Sequence, residues 1–394
     1  MLSQYKRYEA AFEHLPRPFA YLDLDYLDSN IHYIKKLLRS KRIRIATKSI
    51  RSVAVMTYIA NKFPQFSGWM TFSAAETVYL LVQGLDQLLC AYPTVEKTAI
   101  EQTVPYIRKG REVIWMVDSL EAWQLLEEIG LTHNIVFSLC LDINVATAFP
   151  FLYFGTKRSP LNNEAALKNL LHMVASFTHT KVVGVMGYEA QIAGVGDVPT
   201  ERWKRPIIPV LKKRSLKAIA DWRLRAIDII ESYTGPLQFI NGGGSGSLWW
   251  TGKQSEVTEV AVGSAFYFPA LFDQYKSLAL LPAAGFALSV TRKPAENIVV
   301  CHGGGLIASG AFSKDKFPQP YLPSGLSLLA NEGAGEVQTP LLATTVIPSI
   351  GDSVYFRHAK AGELCERFSC LYGYRDGQVV ETFTTYRGDG QCFL

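Results

Sequence analysis

Two segments rich in glycine and serine have the composition of an anion-binding loop. One is NGGGSGS, residues 241–247, which follows the apolar run LQFI, and the other is the pair Gly263-Ser264. Glycine lets backbone N–H groups approach an anion closely, and serine hydroxyls supply further donors. A Gly/Ser run is equally typical of a flexible linker between domains, so the elements on either side decide between these two interpretations.

A lysine directly follows another apolar run. Lys48 lies in RIATKSIRS, residues 44–52, with Arg44 and Arg51 on either side. A lysine amine can form a Schiff base with an aldehyde and so take part in covalent catalysis. The flanking guanidinium groups either favour the uncharged amine by like-charge repulsion or are simply solvated. A lone lysine is usually just exposed to solvent, so its neighbours in the fold are decisive.

Short apolar runs alternate with longer amphipathic ones from residue 42 onward. The short runs are continuous, which is typical of strands buried on both faces. They cover residues 42–47, 68–72, 87–92, 112–117, 135–143, 181–188, 237–240 and 257–262. Strands that alternate with helices predict parallel βα units, and eight such units over about 220 residues match an eight-stranded β/α (TIM) barrel. A doubly wound open sheet is the alternative.

The amphipathic stretches carry helix-capping signals. Ser73 is followed three residues later by Glu76, which is a capping box. Helices are predicted over 73–85, 119–130, 162–177 and 215–233. The stretch 189–214 has no clear pattern and is long enough to be a functional loop.

The pattern changes beyond residue 275. Helical periodicity fades and apolar residues alternate with polar ones, which predicts a C-terminal antiparallel β domain over 276–394 after a barrel over 1–275. Asp376-Gly377 is a hairpin-turn signal within it. The segment 18–27 reads as a strand followed by a helix capped at Asp28 or Ser29. Because it precedes the barrel strands, residues 1–27 are expected to contribute a strand to the C-terminal domain.

Composition excludes several classes of protein. The 394 residues are 48% hydrophobic with a net charge of +5, so a full core needs no disulfide or structural metal. There is no basic stripe with interleaved aromatic residues, which argues against nucleic-acid binding. No apolar run has membrane-spanning length, the N-terminus has no apolar signal region, and the six cysteines form no C-x-x-C pair. A cytoplasmic protein with free thiols is expected.

The barrel gives the lysine and the loops a common location. Active sites of β/α barrels lie at the carboxyl ends of the strands, and phosphate groups often bind in the loops after strands seven and eight. NGGGSGS and Gly263-Ser264 follow those two strands, whereas Lys48 ends the first. A lysine opposite a phosphate-binding loop is the arrangement that pyridoxal 5′-phosphate requires.

Four segments together resemble the fold-type III pyridoxal phosphate enzymes. They are RPFAYLDLDYLDSNI, RIATKSIRS, TFSAAETVYLLVQGLDQLLCAYP and FINGGGSGS with VTEVAVGSAFY, and their order is that of the family. The similarity is greatest to the D-threonine aldolase and D-serine dehydratase branch and weaker to alanine racemase. It implies that Lys48 carries the cofactor as a Schiff base. It also implies cofactor contacts for the following residues: Arg44, Arg158, Tyr188, Gly242, Gly243, Gly244, Ser245, Gly263 and Ser264.

The same resemblance raises the question of a metal. Members of this branch bind a divalent metal through a His-x-Asp or His-x-Cys pair in the C-terminal domain. Here the matching segment is FRHAKAGELCERF, in which His358 is present but Lys360 takes the second ligand position. An ammonium group cannot ligate a metal. Three roles stay open for His358, namely metal ligand, direct acid or base, and structural residue. If a metal binds, Cys365 is a substitute for the second ligand. If none binds, Lys360 would take over the electrostatic task of the metal.

Other polar residues are further candidates. Cys301 and His302 precede three glycines, where a tight turn is the simpler interpretation. Glu332 and Glu336 would line the same site as Cys301 and His302. Asp118 and Asp142 follow barrel strands and would serve a barrel enzyme that acts on a phosphorylated substrate without pyridoxal phosphate; both also suit capping roles.

The resemblance implies a lyase that acts on a β-hydroxy D-amino acid. The expected reaction is retro-aldol cleavage or dehydration with deamination, with Lys48 as the α-proton base. The alternatives are an amino acid racemase, for which a second base is needed, and a non-catalytic pyridoxal phosphate-binding protein. The resemblance further implies a homodimer.

Overall fold

The computed structural model describes residues 3–198, 202–311 and 313–394. Its strands are β1 (Phe19–Asp23), β2 (Arg42–Ala46), β3 (Phe66–Thr71), β4 (Leu88–Cys90), β5 (Val113–Val117), β6 (Phe137–Asp142), β7 (Thr147–Phe149), β8 (Leu152–Phe154), β9 (Thr180–Gly187), β10 (Phe239–Gly242), β11 (Glu259–Val262), β12 (Ala284–Ala295), β13 (Ile298–His302), β14 (Gln319–Leu322), β15 (Leu326–Leu328), β16 (Gln338–Ala343), β17 (Ser353–Arg357), β18 (Cys370–Arg375) and β19 (Gln378–Thr384).

Eight of these strands close into a parallel barrel. Their order around it is β10-β11-β2-β3-β4-β5-β6-β9, and each coincides with one of the eight apolar runs. The β/α barrel is therefore confirmed and the open sheet is excluded. The strand bounds differ from those of the runs by at most two residues. The difference that affects the site is in β10, which covers 239–242 rather than 237–240, so the first two glycine-loop positions complete a strand.

The barrel interior is filled by side chains. Leu89, Ile114, Met116, Cys140 and Phe239 form one buried cluster inside it. Alternate residues of the same strands face outward and join the larger core between the strands and the helices. The strands therefore read as continuous apolar runs, because both of their faces are buried.

Helices lie between the strands and follow the capping signals. They are α1 (Gln4–Phe12), α2 (Leu24–Leu38), α3 (Val53–Ala60), α4 (Ala74–Val82), α5 (Lys97–Arg108), α6 (Leu120–His133), α7 (Glu164–Met173), α8 (Ala190–Ala193), α9 (Ile207–Thr234), α10 (Leu248–Thr251) and α11 (Ser264–Tyr267). Ser73 caps α4 by accepting the Glu76 N–H at 3.1 Å. No helix of the described residues is long and apolar enough to cross a membrane.

Two predictions about helices were wrong. Helix α2 begins at Leu24, four residues before Asp28, because the Asp23 carboxylate accepts the Tyr26 N–H at 2.9 Å and caps the helix there. The stretch 189–214 is not one loop, since α8 and the start of α9 lie within it, although residues 199–201 are outside the described part. Helix α9 begins at 207 with Pro209 in its first turn, a position that proline tolerates.

The C-terminal part forms a nine-stranded sheet with β1. Its strand pairs are antiparallel except that β1 and β18 run parallel, so the sheet is mixed and mostly antiparallel. Asp376 and Gly377, both with positive φ, form the turn between β18 and β19, which confirms the hairpin signal. The first strand of the chain thus lies between β12 and β18. The domain boundary between residues 275 and 276 stays a prediction.

Candidate active site at the barrel mouth

The carboxyl ends of the barrel strands bring most of the candidate residues to one rim. Lys48 lies in the 3₁₀ turn Thr47–Ser49 directly after β2, and Tyr188 follows β9. The glycine-rich loop follows β10, and Gly263-Ser264 follows β11. Because the loop continues into α10 and then β11, it is part of the barrel and not a linker.

The Lys48 side chain is exposed and points toward a tyrosine that the sequence analysis did not single out. Its Nζ donates to the Tyr92 hydroxyl at 2.6 Å and lies 5.3 Å from the centre of that ring. Tyr92 comes two residues after β4, so both groups stand at the barrel rim. The signal available in the sequence was a tyrosine at the end of an apolar run, which is also typical of a core aromatic residue.

The main chain around Lys48 is held by the C-terminal segment 358–366. Arg51 donates its Nε to the Lys48 carbonyl at 3.0 Å and pairs with Glu366. Gly362 packs directly on the same carbonyl: a Cβ atom there would lie 1.9 Å from the Lys48 oxygen. The segment that carries His358 therefore supports the turn that presents the lysine.

Arg44 lies inside the barrel and is engaged by Glu259. Its Nε and Nη2 donate to the two carboxylate oxygens at 2.7 and 3.0 Å, and its Nη1 donates to the Gln87 carbonyl at 3.0 Å. Burial would raise the pKa of Glu259, but the Arg44 charge and hydrogen bonds hold it below its usual range. This bidentate pair gives Arg44 a structural partner, and its contact with a cofactor stays a prediction.

The glycine-rich loop is shaped by a buried carboxylate. Glu189, which is fully buried, accepts the Gly243 N–H at 3.0 Å, the Ser247 hydroxyl at 3.0 Å and the Thr251 hydroxyl. Gly243 has φ +88°, which favours glycine, and a Cβ atom on it would lie 2.7 Å from a Val260 methyl group. Glu189 was not among the predicted site residues, although it comes two residues after the end of β9 and directly after Tyr188.

The loops after β10 and β11 interlock next to Lys48. The Ser245 hydroxyl accepts the Ala265 N–H at 2.8 Å, and the Ser264 and Ser49 hydroxyls lie 3.3 Å apart. A Cβ atom on Gly263 would lie 2.7 Å from Ser49 Oγ. Gly244 and Ser264 are the partly exposed members of this group, so the two loops open toward the same side as the lysine.

Tyr188 borders this opening. A Cβ atom on Gly244 would lie 3.1 Å from its ring, so the ring packs on the glycine-rich loop. Burial, with smaller contributions from Glu189 and Tyr92, raises the pKa of Tyr188 to about 12. The phenol is therefore protonated at neutral pH and available as a hydrogen-bond donor.

Two carboxylates lie at the rim beyond Tyr92, as seen from Lys48 along the strand order β2-β3-β4-β5-β6. Asp118 directly follows β5 and Asp142 ends β6. Burial and, to a lesser extent, the Asp118 charge raise the pKa of Asp142 to about 7 against the opposing charge of Arg158. Burial also raises the pKa of Asp118. Arg158 is exposed, and its charge also acts on Tyr188, which places it near the mouth.

His358 is buried behind the lysine turn. Neither ring nitrogen has a hydrogen-bond partner among the described residues, and its ring centre is 6.4 Å from that of Tyr267. Burial, reinforced by the neighbouring Arg357 charge, lowers the pKa of His358 to about 3. The imidazole is therefore neutral at physiological pH.

The donors around His358 do not fit a divalent metal. Lys360 donates to Ser309 Oγ at 2.7 Å and pairs with Glu363 at 3.4 Å. Burial raises the pKa of the Cys365 thiol to about 12, and the Tyr267 hydroxyl is its polar neighbour. Within residues 3–198, 202–311 and 313–394, no three His, Cys, Asp or Glu side chains converge.

The remaining candidates lie in a turn of the C-terminal sheet. Cys301 is buried at the end of β13, and His302 is exposed. Gly303 and Gly304 both have positive φ, and the Thr339 hydroxyl donates to the Gly303 carbonyl at 2.6 Å, as in a tight turn. Glu332 and Glu336 are exposed.

Comparison with known proteins identifies the fold. No protein-family model and no curated protein sequence matches the chain. Among solved structures, D-threonine aldolase from Filomicrobium marinum aligns with a TM-score of 0.80 and 17% identity over 95% of this chain and 96% of that one. D-threo-3-hydroxyaspartate dehydratase from Delftia sp. HT23 aligns with a TM-score of 0.75 and 16% identity over 95% and 98% of the chains.

An alanine racemase from Clostridium difficile 630 aligns less closely. Its complex with cycloserine gives a TM-score of 0.63 and 15% identity over 93% of this chain and 98% of that one. At such identities the matches establish a shared fold. The chain has the architecture of the alanine racemase-like, fold-type III pyridoxal phosphate enzymes.

Proposed function

We propose that this chain is a pyridoxal phosphate-dependent lyase that acts on β-hydroxy D-amino acids. The observation that carries the proposal is the exposed Lys48 amine, which stands at the mouth of the barrel beside two glycine- and serine-rich loops. The solved structures of D-threonine aldolase and D-threo-3-hydroxyaspartate dehydratase share this fold. They favour a lyase over the racemase that the more distant match would suggest.

The residues at the mouth fit the cofactor. Lys48 would carry its aldehyde carbon. The loops around Gly244 and Ser264, which are partly exposed on the side of the lysine, would hold its phosphate through backbone N–H groups and serine hydroxyls. Tyr188 would border the ring. When bound, pyridoxal phosphate withdraws electrons from the bond that breaks at the α-carbon of the amino acid.

The chain's own groups supply the proton transfers. When the Lys48 amine is not bonded to the cofactor, the Tyr92 hydroxyl positions it, and the amine can take the α-proton of the substrate. Asp142, with a pKa of about 7, is partly protonated at neutral pH and can give a proton to the departing β-hydroxyl, which leaves as water. In retro-aldol cleavage the same carboxylate would instead accept the hydroxyl proton while the Cα–Cβ bond breaks.

No step is assigned to a metal, because the donors near His358 do not fit one. We propose a structural role for His358, which is buried and neutral behind the lysine turn. Its segment supports Lys48 through Gly362. The proposal also includes a homodimer and a small amino acid as the substrate.

The test is a visible absorption spectrum of the purified protein. We expect a yellow protein whose cofactor becomes fixed to Lys48 on borohydride reduction, as shown by peptide mapping. D-threonine or D-serine should then change the spectrum and release glycine with an aldehyde, or a keto acid with ammonia. Turnover of D-alanine alone would favour the racemase, binding without any turnover would favour a carrier, and a colourless protein that takes up no added cofactor would refute the proposal.

A further inference from the structure

A buried carboxylate holds the glycine-rich loop from its inner side. Glu189 has no exposed surface, and it lies between β9, the loop after β10 and helices α9 and α10. We propose that Glu189 is a positioning residue that fixes this loop in its anion-binding shape. The inference rests on the proposed function, since the anion is taken to be the cofactor's phosphate.

Each oxygen of Glu189 accepts two donors. Oε2 accepts the Gly243 N–H and Arg223 Nη2, both at 3.0 Å. Oε1 accepts the Ser247 hydroxyl at 3.0 Å and the Thr251 hydroxyl. Since Ser247 Oγ in turn accepts the Gly244 N–H at 3.1 Å, these contacts fix the peptide groups of Gly243 and Gly244.

Arg223 offsets the free-energy cost of burying the Glu189 carboxylate. It is also fully buried, and it donates to the Gly187 carbonyl at 2.9 Å and to Glu256 at 3.1 Å. A buried charge persists only when it is paired and hydrogen-bonded. The cluster of Glu189, Arg223 and Glu256 therefore links α9 and the end of β9 to the loop.

The donor types explain why a carboxylate suits this place. A backbone N–H and a guanidinium can only donate, so Oε2 must be an acceptor. A glutamine offers one oxygen and one donating NH₂ group, and it cannot balance the charge of Arg223. The Glu189 charge also repels a phosphate. Removal of the charge should therefore weaken phosphate binding if support of the loop dominates, and strengthen it if repulsion dominates.

The experiment compares Glu189→Gln with Glu256→Gln. Both variants remove one carboxylate from Arg223, but only Glu189 contacts the loop. The affinities of each purified protein for pyridoxal 5′-phosphate and for pyridoxal, which lacks the phosphate, are measured by absorbance titration. We expect Glu189→Gln to weaken binding of the phosphate form about tenfold, in line with loss of hydrogen bonds to a charged group, with binding of pyridoxal unchanged.

The control and the contrary results are distinct. Glu256→Gln should change both affinities by less than about twofold, because Glu256 contacts Arg223 and not the loop, and the contacts of Glu189 with Gly243 and Ser247 stay in place. Equal weakening of both ligands in Glu189→Gln would mean general destabilisation, and tighter binding of the phosphate form would mean that repulsion dominates; either would overturn the inference alone. A wild-type protein that binds neither ligand would overturn the proposed function together with it.

A second variant covers the case in which Glu189→Gln does not fold. Thr251→Val keeps the carboxylate and the shape of the side chain, and it removes one donor to Oε1. Loss of one net hydrogen bond predicts about threefold weaker binding of the phosphate form alone. An unchanged ratio of the two affinities would overturn the inference.

Discussion

The two sides of the barrel mouth are built in opposite ways. On the reactive side, formed by the turns after β2, β4 and β6, the Lys48 amine is exposed and its hydrogen bond goes to one phenol. On the cradle side, formed by the turns after β9, β10 and β11, Glu189 is fully buried and accepts four donors.

The difference matches two tasks, since the cradle side would hold an anion and the reactive side would take part in the reaction. An anion that stays in place is best held by groups that are fixed before it arrives, since nothing then has to be ordered on binding. An amine that must attach, detach and move a proton needs freedom to change partners. A change at an exposed side chain of the reactive side, such as Lys48, should therefore alter chemistry with little effect on stability. A change at a buried or tightly packed position of the cradle side should alter both.

The largest expected effect is that of Lys48→Ala. This variant removes the group that carries the cofactor and the base, so turnover should fall at least about 10³-fold. Because the side chain is exposed, the midpoint of urea unfolding should not change. Borohydride reduction should leave the cofactor unattached in Lys48→Ala and attached in the surface variant Lys62→Ala. A labelled Lys62 or a marked loss of stability would contradict the comparison.

A second prediction concerns Asp142 and pH. Burial holds its pKa near 7 rather than 3.8, so the neutral carboxyl contributes stability that is full below pH 4 and is lost as the pH rises through 7. Asp142→Asn cannot ionise. Its free energy of unfolding should exceed that of the wild type by up to about 4 kcal/mol at pH 8.5, with a smaller difference at pH 5.

Urea unfolding at the two pH values checks this prediction. Partial exposure of Asp142 lets water screen its charge, so the difference at pH 8.5 can be as small as about 1 kcal/mol. The exposed Asp228→Asn on α9 is the control, and it should show no such dependence on pH. An equal stabilisation of Asp142→Asn at both pH values would show that its charge is not the cause.

On the cradle side, Gly263→Ala should cost both binding and stability. The added Cβ would lie 2.7 Å from Ser49 Oγ and 3.0 Å from the Ala46 Cβ, so the turn after β11 must shift. Overpacking of this kind costs about 1–3 kcal/mol. Thermal unfolding and cofactor titration measure the two effects. Ser264→Ala, which keeps the backbone, should leave stability within about 0.5 kcal/mol of the wild type.

The sequence predicted the scaffold of both sides better than their contacts. Continuous apolar runs located all eight barrel strands, because burial on both faces leaves a pattern that needs no tertiary information. The order of strands then placed Lys48 and the glycine-rich loop on one rim. The start of α2 was missed because Asp23 and Asp28 are both good caps, and only packing chooses between them.

Contacts between residues far apart in the chain could not be predicted from the sequence. Tyr92 and Glu189 each lie just beyond a strand, but nothing local shows that one meets a lysine 44 positions away and the other a glycine 54 positions away. Arg44 is a further example. The family resemblance implied a cofactor contact for it, which stays a prediction, whereas its ion pair with Glu259 inside the barrel was not predicted.

Tyr92→Phe tests the hydrogen bond of the reactive amine. It keeps the ring under Lys48 and removes the hydroxyl that accepts the 2.6 Å hydrogen bond. A hydrogen bond to a charged group is worth about 1.5 kcal/mol or more, so cofactor attachment should slow about tenfold with thermal stability unchanged. Tyr153→Phe at the exposed hairpin is the control for loss of a phenol. A fall in stability without any change in attachment would assign Tyr92 to the core.

The smallest effect is expected for Lys360→Met, in the segment that supports the lysine turn from behind. The Lys360 ammonium is about half exposed and contacts Ser309 on a neighbouring loop and Glu363 three residues further along its own segment. Exposed ion pairs contribute about 0–1 kcal/mol, so stability and cofactor affinity should stay near those of the wild type, and kcat/KM should change less than about threefold. Glu363→Gln is the matched variant, since it breaks the same pair from the other end. A kcat that falls at least tenfold in Lys360→Met alone, with cofactor binding intact, would show that the ammonium reaches the substrate, and the reactive side would then extend into the C-terminal segment.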